Sequence, residues 1–149
     1  MACRLTFADV RWMNAKHPGL TYSEELNKFS GMFAFSAQYG DLDLISDHYR
    51  IEILGNYPKD SPLPAVFETE GRIERMSMIL NISMADLHVN GDNSLCLIRP
   101  DKFRCWYPNG FDIEVFERNL TTHFYWLSYR ERFGCEPWKG EEHGGQYNW

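Results

Sequence analysis

His88-Val89-Asn90-Gly91-Asp92-Asn93-Ser94-Leu95-Cys96-Leu97 is the stretch on which the reading of this chain turns. It sets one cysteine six residues after an asparagine and eight after a histidine, in a turn-forming run that closes on two leucines flanking the sulfur. A cysteine at the edge of a polar loop with a side-chain amide nearby has what acyl transfer through a thioester needs. Sulfur is the nucleophile, and the amide can donate to the oxyanion of a tetrahedral intermediate. The same ten residues also fit a small buried core residue, because free cysteine is among the most buried residue types.

Outward from this run, the composition describes one folded unit. The 149 residues are 44% hydrophobic and 15% aromatic, enough for a sizeable core within a single domain spanning 1–149. Acidic residues outnumber basic ones by 21 to 15, for a net charge of −6, and no lysine or arginine run offers a footprint for nucleic acid or an anionic membrane. The amino-terminal residues lack a signal peptide's apolar centre, and nothing approaches the roughly eighteen apolar residues of a membrane span. A cytoplasmic location is therefore expected, with Cys3, Cys96, Cys105 and Cys135 as reduced thiols. No Cys-x-x-Cys pair occurs, and His17, His48, His123 and His143 have no partner at ligand spacing, so neither a metal nor any other cofactor is expected.

The pattern of elements predicts an α+β chain. Thr6-Phe7-Ala8-Asp9 has capping-box spacing and opens a short helix that ends before Pro18-Gly19. Phe33, Phe35, Ala37 and Tyr39 alternate with smaller or polar residues up to a turn at Gly40-Asp41. Tyr49, Ile51 and Ile53 alternate with Arg50 and Glu52 as a half-buried strand, and Ala65 to Glu68 reads as a third strand. The short connections predict an antiparallel meander. From Gly71 to Gly110 the periodicity fades, predicting a loop of about forty residues, and loops that long are usually functional. Ile113, Phe116, Leu120, Phe124 and Leu127 then form a helical stripe capped by Asp112, with Gly134 as its stop. Trp126, Tyr129, Trp138 and Trp149 suggest a protein interface, with some of them expected simply to fill the core, and Trp138 to Trp149 reads as a surface tail. Cys105, beside Trp106, reads as packing, and Lys102 and Arg104 as a solvated rim.

This order of a helix, a meander, a Tyr57-Pro58 loop, a long cysteine-bearing loop and carboxy-terminal helices resembles the ubiquitin-conjugating (UBC) fold. Three motifs carry the resemblance: Tyr57-Pro58 after the strand Tyr49-Arg50-Ile51-Glu52-Ile53, His88-Val89-Asn90 in the place of a His-Pro-Asn, and Leu95-Cys96-Leu97 as the hydrophobic-Cys-Leu of a catalytic site. More narrowly, Phe67 to Ile73, the His88 to Leu97 run and His143-Gly144 look like the bacterial branch found in CBASS antiphage systems. The resemblance implies a stand-alone conjugating protein whose cysteine forms a thioester with the carboxy terminus of a cGAS-like nucleotidyltransferase (CD-NTase) and passes it to an amine. It implies Cys96 as nucleophile, Asn90 as either oxyanion donor or loop brace, and His88 as a candidate catalytic residue that more naturally holds the loop. Two other functions fit the same scaffold: a binding module without chemistry, and a conjugating enzyme for a separate ubiquitin-like protein.

Overall fold

The computed structural model describes residues 3–57 and 59–139. Pro58 of the Tyr57-Pro58 motif, and His143-Gly144 and Trp149 of the tail, lie outside the described residues. Helix α1 (Phe7–Lys16) begins at the capping box: Thr6 Oγ1 accepts from Asp9 N at 3.1 Å, and Asp9 Oδ2 accepts from Thr6 N at 3.0 Å.

Four strands follow, β1 (Leu20–Ser23), β2 (Lys28–Ala37), β3 (Ile45–Leu54) and β4 (Ala65–Glu68), in one antiparallel sheet of order β1-β2-β3-β4. This is the expected meander with one strand more, since β1 is too short to show a period in the sequence. Phe33 pairs with Tyr49, Gly31 with Ile51 and Phe29 with Ile53, so the odd-numbered side chains of both central strands share one face. That face is buried; the other carries Ser36, Ser46, Lys28 and Glu52, the last two ion-paired at 3.1 Å. One wet and one dry face is the usual state of an antiparallel sheet. Gly31, at φ 131°, packs its Cα against the Gly19 carbonyl, where no side chain fits.

The dry face rests on the long helix α4 (Ile113–Phe133), and α1 and the helix α2 (Arg72–Leu80) flank it. Asp112 Oδ1 caps α4 by accepting from Glu114 N and Val115 N, and Gly134 in the left-handed region closes it. The stripe Ile113, Phe116, Leu120, Phe124 and Leu127 is buried as its spacing requires, and Phe124 stacks on Tyr49 with ring centroids 4.3 Å apart.

Two expectations need correction and a third is narrowed. The stretch from Gly71 to Gly110 is not one loop: it contains α2, two short 3₁₀ turns (Ala85–Leu87 and Pro100–Lys102) and the one-turn helix α3 (Phe103–Trp106). Only Ile73 and Met76 of α2 face inward, while Met78 and Ile79 are 74% and 81% exposed, which erased the helical period. Of the four aromatics open to either an interface or the core, Trp126 belongs to the core and is fully buried, because the middle of α4 is covered on several sides. Cys105 is exposed instead of packed. Among the described residues the carboxy-terminal region holds one long helix, and no helix is long and apolar enough to cross a membrane.

Candidate functional site

The run from His88 to Cys96 folds into a tight hairpin on the end of the sheet. His88 adopts a left-handed conformation (φ 62°) just after the first 3₁₀ turn and reverses the chain. Val89 and Leu95 then pair as an antiparallel bridge, and Cys96 N donates to the His88 carbonyl at 2.8 Å. Leu95 N donates to the Val66 carbonyl at 2.8 Å, which ties the hairpin to β4. The cysteine therefore sits at the hairpin's base, held by the backbone bonds from its own N–H and from that of Leu95.

Polar side chains stiffen the hairpin's tip. Ser94 N and Oγ both donate to Asp92 Oδ1, at 3.0 and 2.5 Å, and Asn90 Nδ2 donates to Ser94 Oγ at 3.0 Å. The Tyr57 hydroxyl donates to Asp92 Oδ2 at 3.0 Å, linking the loop after β3 to the tip. The bonds from Ser94 in particular hold the Asp92 carboxyl below its ordinary value. Asn93, with φ 72°, takes the left-handed position that Asn tolerates best after Gly. Ser94→Ala removes two of these bonds from a buried site and is expected to cost about 1–3 kcal/mol. Chemical denaturation measures it.

The three sequence-derived site residues are thus brought together on one hairpin. Asn90 spends one amide N–H inside the hairpin, the geometry of a brace. His88 is buried, with its ring edge-on to Trp126 at 4.8 Å between centroids. Cys96 is 6% exposed, and burial pushes its thiol up to about 11, so the resting group is a neutral thiol. A cleft of about 230 Å³ flanks the hairpin, lined by Val89, Asn93 and Leu95 on one side and by Glu68, Glu74 and Met84 on the other. Glu68 is itself fixed: its two oxygens accept from Ile73 N (3.0 Å) and Glu70 N (2.6 Å), serving the start of α2 where Gly71 has no side chain to offer.

Two polar clusters have no counterpart in the sequence reading. Arg72 reaches from α2 to Asp47 on β3 (2.7 Å) and Glu131 on α4 (2.6 Å), and its guanidinium lies 4.1 Å from the Tyr49 ring centroid. His17 and Glu117 meet at 2.8 Å although 100 positions separate them. Among the described residues no group of three or more His, Cys, Asp or Glu side chains is placed to hold a metal ion. Neither a protein-family model, nor a curated protein, nor a solved structure matches this chain.

Proposed function

We propose that the chain is a UBC-like conjugating protein of the bacterial antiphage type, in which Cys96 carries the carboxy terminus of a CD-NTase as a thioester and yields it to an amine. The observation that carries the reading is the placement of Cys96 at the base of a braced hairpin, beside the antiparallel meander and its long packing helix. In the first step the Cys96 sulfur attacks an activated carboxy-terminal carbonyl, the thiol proton and the activating group depart, and a thioester forms. In the second step an amine attacks the thioester, releasing an amide and the free thiol. Thiol exchange is nearly balanced in free energy, so the protein's contribution is positioning and oxyanion stabilisation. Activation of the free carboxylate is uphill and falls to an adenylating partner or to the nucleotide chemistry of the CD-NTase.

A neutral, largely buried thiol shapes this chemistry: the incoming donor must open access to the sulfur and accept its proton. The same burial favours a second reading, a UBC-like scaffold that recruits a partner without forming an adduct. Copurification with a CD-NTase under non-reducing conditions separates the two. The enzyme reading expects a covalent species that thiol treatment releases and that is absent from Cys96→Ala. A noncovalent complex unchanged in Cys96→Ala sinks the enzyme reading in favour of the scaffold.

A further inference from the structure

The tip of the hairpin carries a second chemistry that does not involve sulfur. The chain holds two Asn-Gly pairs, Asn90-Gly91 and Asn109-Gly110. In such a pair the glycine nitrogen can attack the asparagine side-chain carbonyl, because no Cβ crowds the nucleophile or restricts its backbone. Both pairs are exposed, so solvent access does not separate them. Hydrogen bonding does. Gly110 N donates to the Tyr107 carbonyl at 3.1 Å, which ties up the attacking atom. The Gly91 N–H has no hydrogen-bond partner among the described residues, and nothing lies within 4 Å of the place a Gly91 Cβ would take.

What restrains Asn90 is the bond on its own side chain. Ser94 holds the Asp92 carboxyl below its ordinary value, so at neutral pH that group only accepts. The Ser94 hydroxyl therefore gives its one hydrogen to Asp92 Oδ1, and its oxygen is left to accept. This decides which end of the Asn90 amide faces Ser94: Nδ2 donates to Oγ at 3.0 Å. The bonded nitrogen is the group that departs when Gly91 attacks. Bringing the side-chain carbonyl onto Gly91 N requires the side chain to turn, which the bond to Ser94 opposes.

We infer that Asn90-Gly91 is a deamidation site held latent by the Ser94 brace. The only co-reactant is water. Gly91 N bonds to Asn90 Cγ, the Cγ–Nδ2 bond breaks, and the nitrogen departs as ammonia with the Gly91 proton, leaving a cyclic imide. Water then opens the ring at either carbonyl and leaves aspartate or isoaspartate at position 90. Either product puts a carboxylate where an N–H donor stood, beside Asp92 and against a hydroxyl whose hydrogen is already given. Isoaspartate also lengthens the backbone between His88 and Cys96. Deamidation thus unbraces the hairpin irreversibly. The inference stands apart from the thioester reading; on that reading the same event removes Asn90 as brace or oxyanion donor.

The test incubates the full chain in mildly alkaline buffer and follows both Asn-Gly pairs by peptide mapping, which separates isoaspartate from aspartate. Ser94→Ala is expected to speed conversion at Asn90 about two- to tenfold, the worth of one hydrogen bond, while Asn109 keeps its rate. Adding Gly91→Ala, where a Cβ meets no neighbour, should slow Asn90 again by about fivefold. Asn109 also monitors the fold, since equal acceleration of both pairs in Ser94→Ala means general loosening and overturns the brace. The inference is overturned too if Ser94→Ala leaves the Asn90 rate unchanged, if no conversion maps to Asn90 in either protein, or if Gly91→Ala does not slow it.

Discussion

Alkylation of Cys96 by iodoacetamide is expected to accelerate about tenfold per pH unit from pH 7 to pH 10, close to a thousandfold in all, with no plateau in that range. The thiolate is the reacting species, and a thiol held at about 11 by burial is ionised in only about one molecule in ten thousand at pH 7. The exposed thiols of Cys105 and Cys135 serve as internal references, and peptide mapping assigns each rate. They should react faster at neutral pH on access alone. A Cys96 rate that levels off below about pH 8 would show a thiolate already prepared in the free protein, and with it a charge partner that burial does not provide. The profile also bears on mechanism. On the proposed function, a neutral thiol is protected from adventitious oxidation and becomes a nucleophile when a donor binds, so a donor whose carboxylate is not activated, which binds without acylating Cys96, should raise the neutral-pH rate.

The second large effect concerns stability. Arg72→Leu is expected to cost about 3–5 kcal/mol and to lower Tm by about 6–20 °C. Arg72 makes a two-pronged bond to Asp47, a second to Glu131, and a third to the His48 carbonyl at 2.9 Å. Asp47 lies opposite Phe35 on the covered side of the sheet, where its other hydrogen-bond partners among the described residues are the Ser128 hydroxyl and the His48 N–H. Removing the guanidinium leaves a half-buried carboxylate without its counter-charge. Burial tends to raise this carboxyl, but the bonds from Arg72, Ser128 and His48 hold it below its ordinary value of 3.8. A depressed carboxyl contributes stability above the unfolded value and loses it as pH falls through the folded one. The contribution is therefore complete above about pH 5 and declines below about pH 4. Arg72→Leu should flatten that acid limb, and adding Asp47→Asn should recover part of the loss at pH 7. A loss under about 1 kcal/mol would mean that solvent screens the cluster as it does a surface pair.

Much of the fold is legible in the sequence where one local period dominates. The stripe from Ile113 to Leu127 and its Asp112 cap define α4, and Thr6 with Asp9 defines the start of α1. Tyr49, Ile51 and Ile53 mark β3 because a single dry face imposes a strict period of two. Elsewhere the local signal is diluted. Met78 and Ile79 place apolar groups on the wet side of α2, so the helix reads as featureless sequence. Trp126 reads as open to interface or core because the sequence marks one covered face of α4, whereas tertiary packing covers more. The candidate site divides the same way. The hairpin is visible because its turn residues and its cysteine are contiguous, yet the burial of that cysteine depends on neighbours distant in the chain. The Arg72 cluster and the His17–Glu117 pair join residues 24 to 100 positions apart and leave no local trace.

The most direct measurement is the intact mass of the protein after coexpression with a CD-NTase, followed by peptide mapping. The account predicts a species heavier by the mass of the donor less one water, with the bond located on the peptide carrying Cys96, lost on thiol treatment and never formed by Cys96→Ala. An unmodified mass in the presence of activated donor, or an adduct mapped to Cys105 or Cys135, would contradict it.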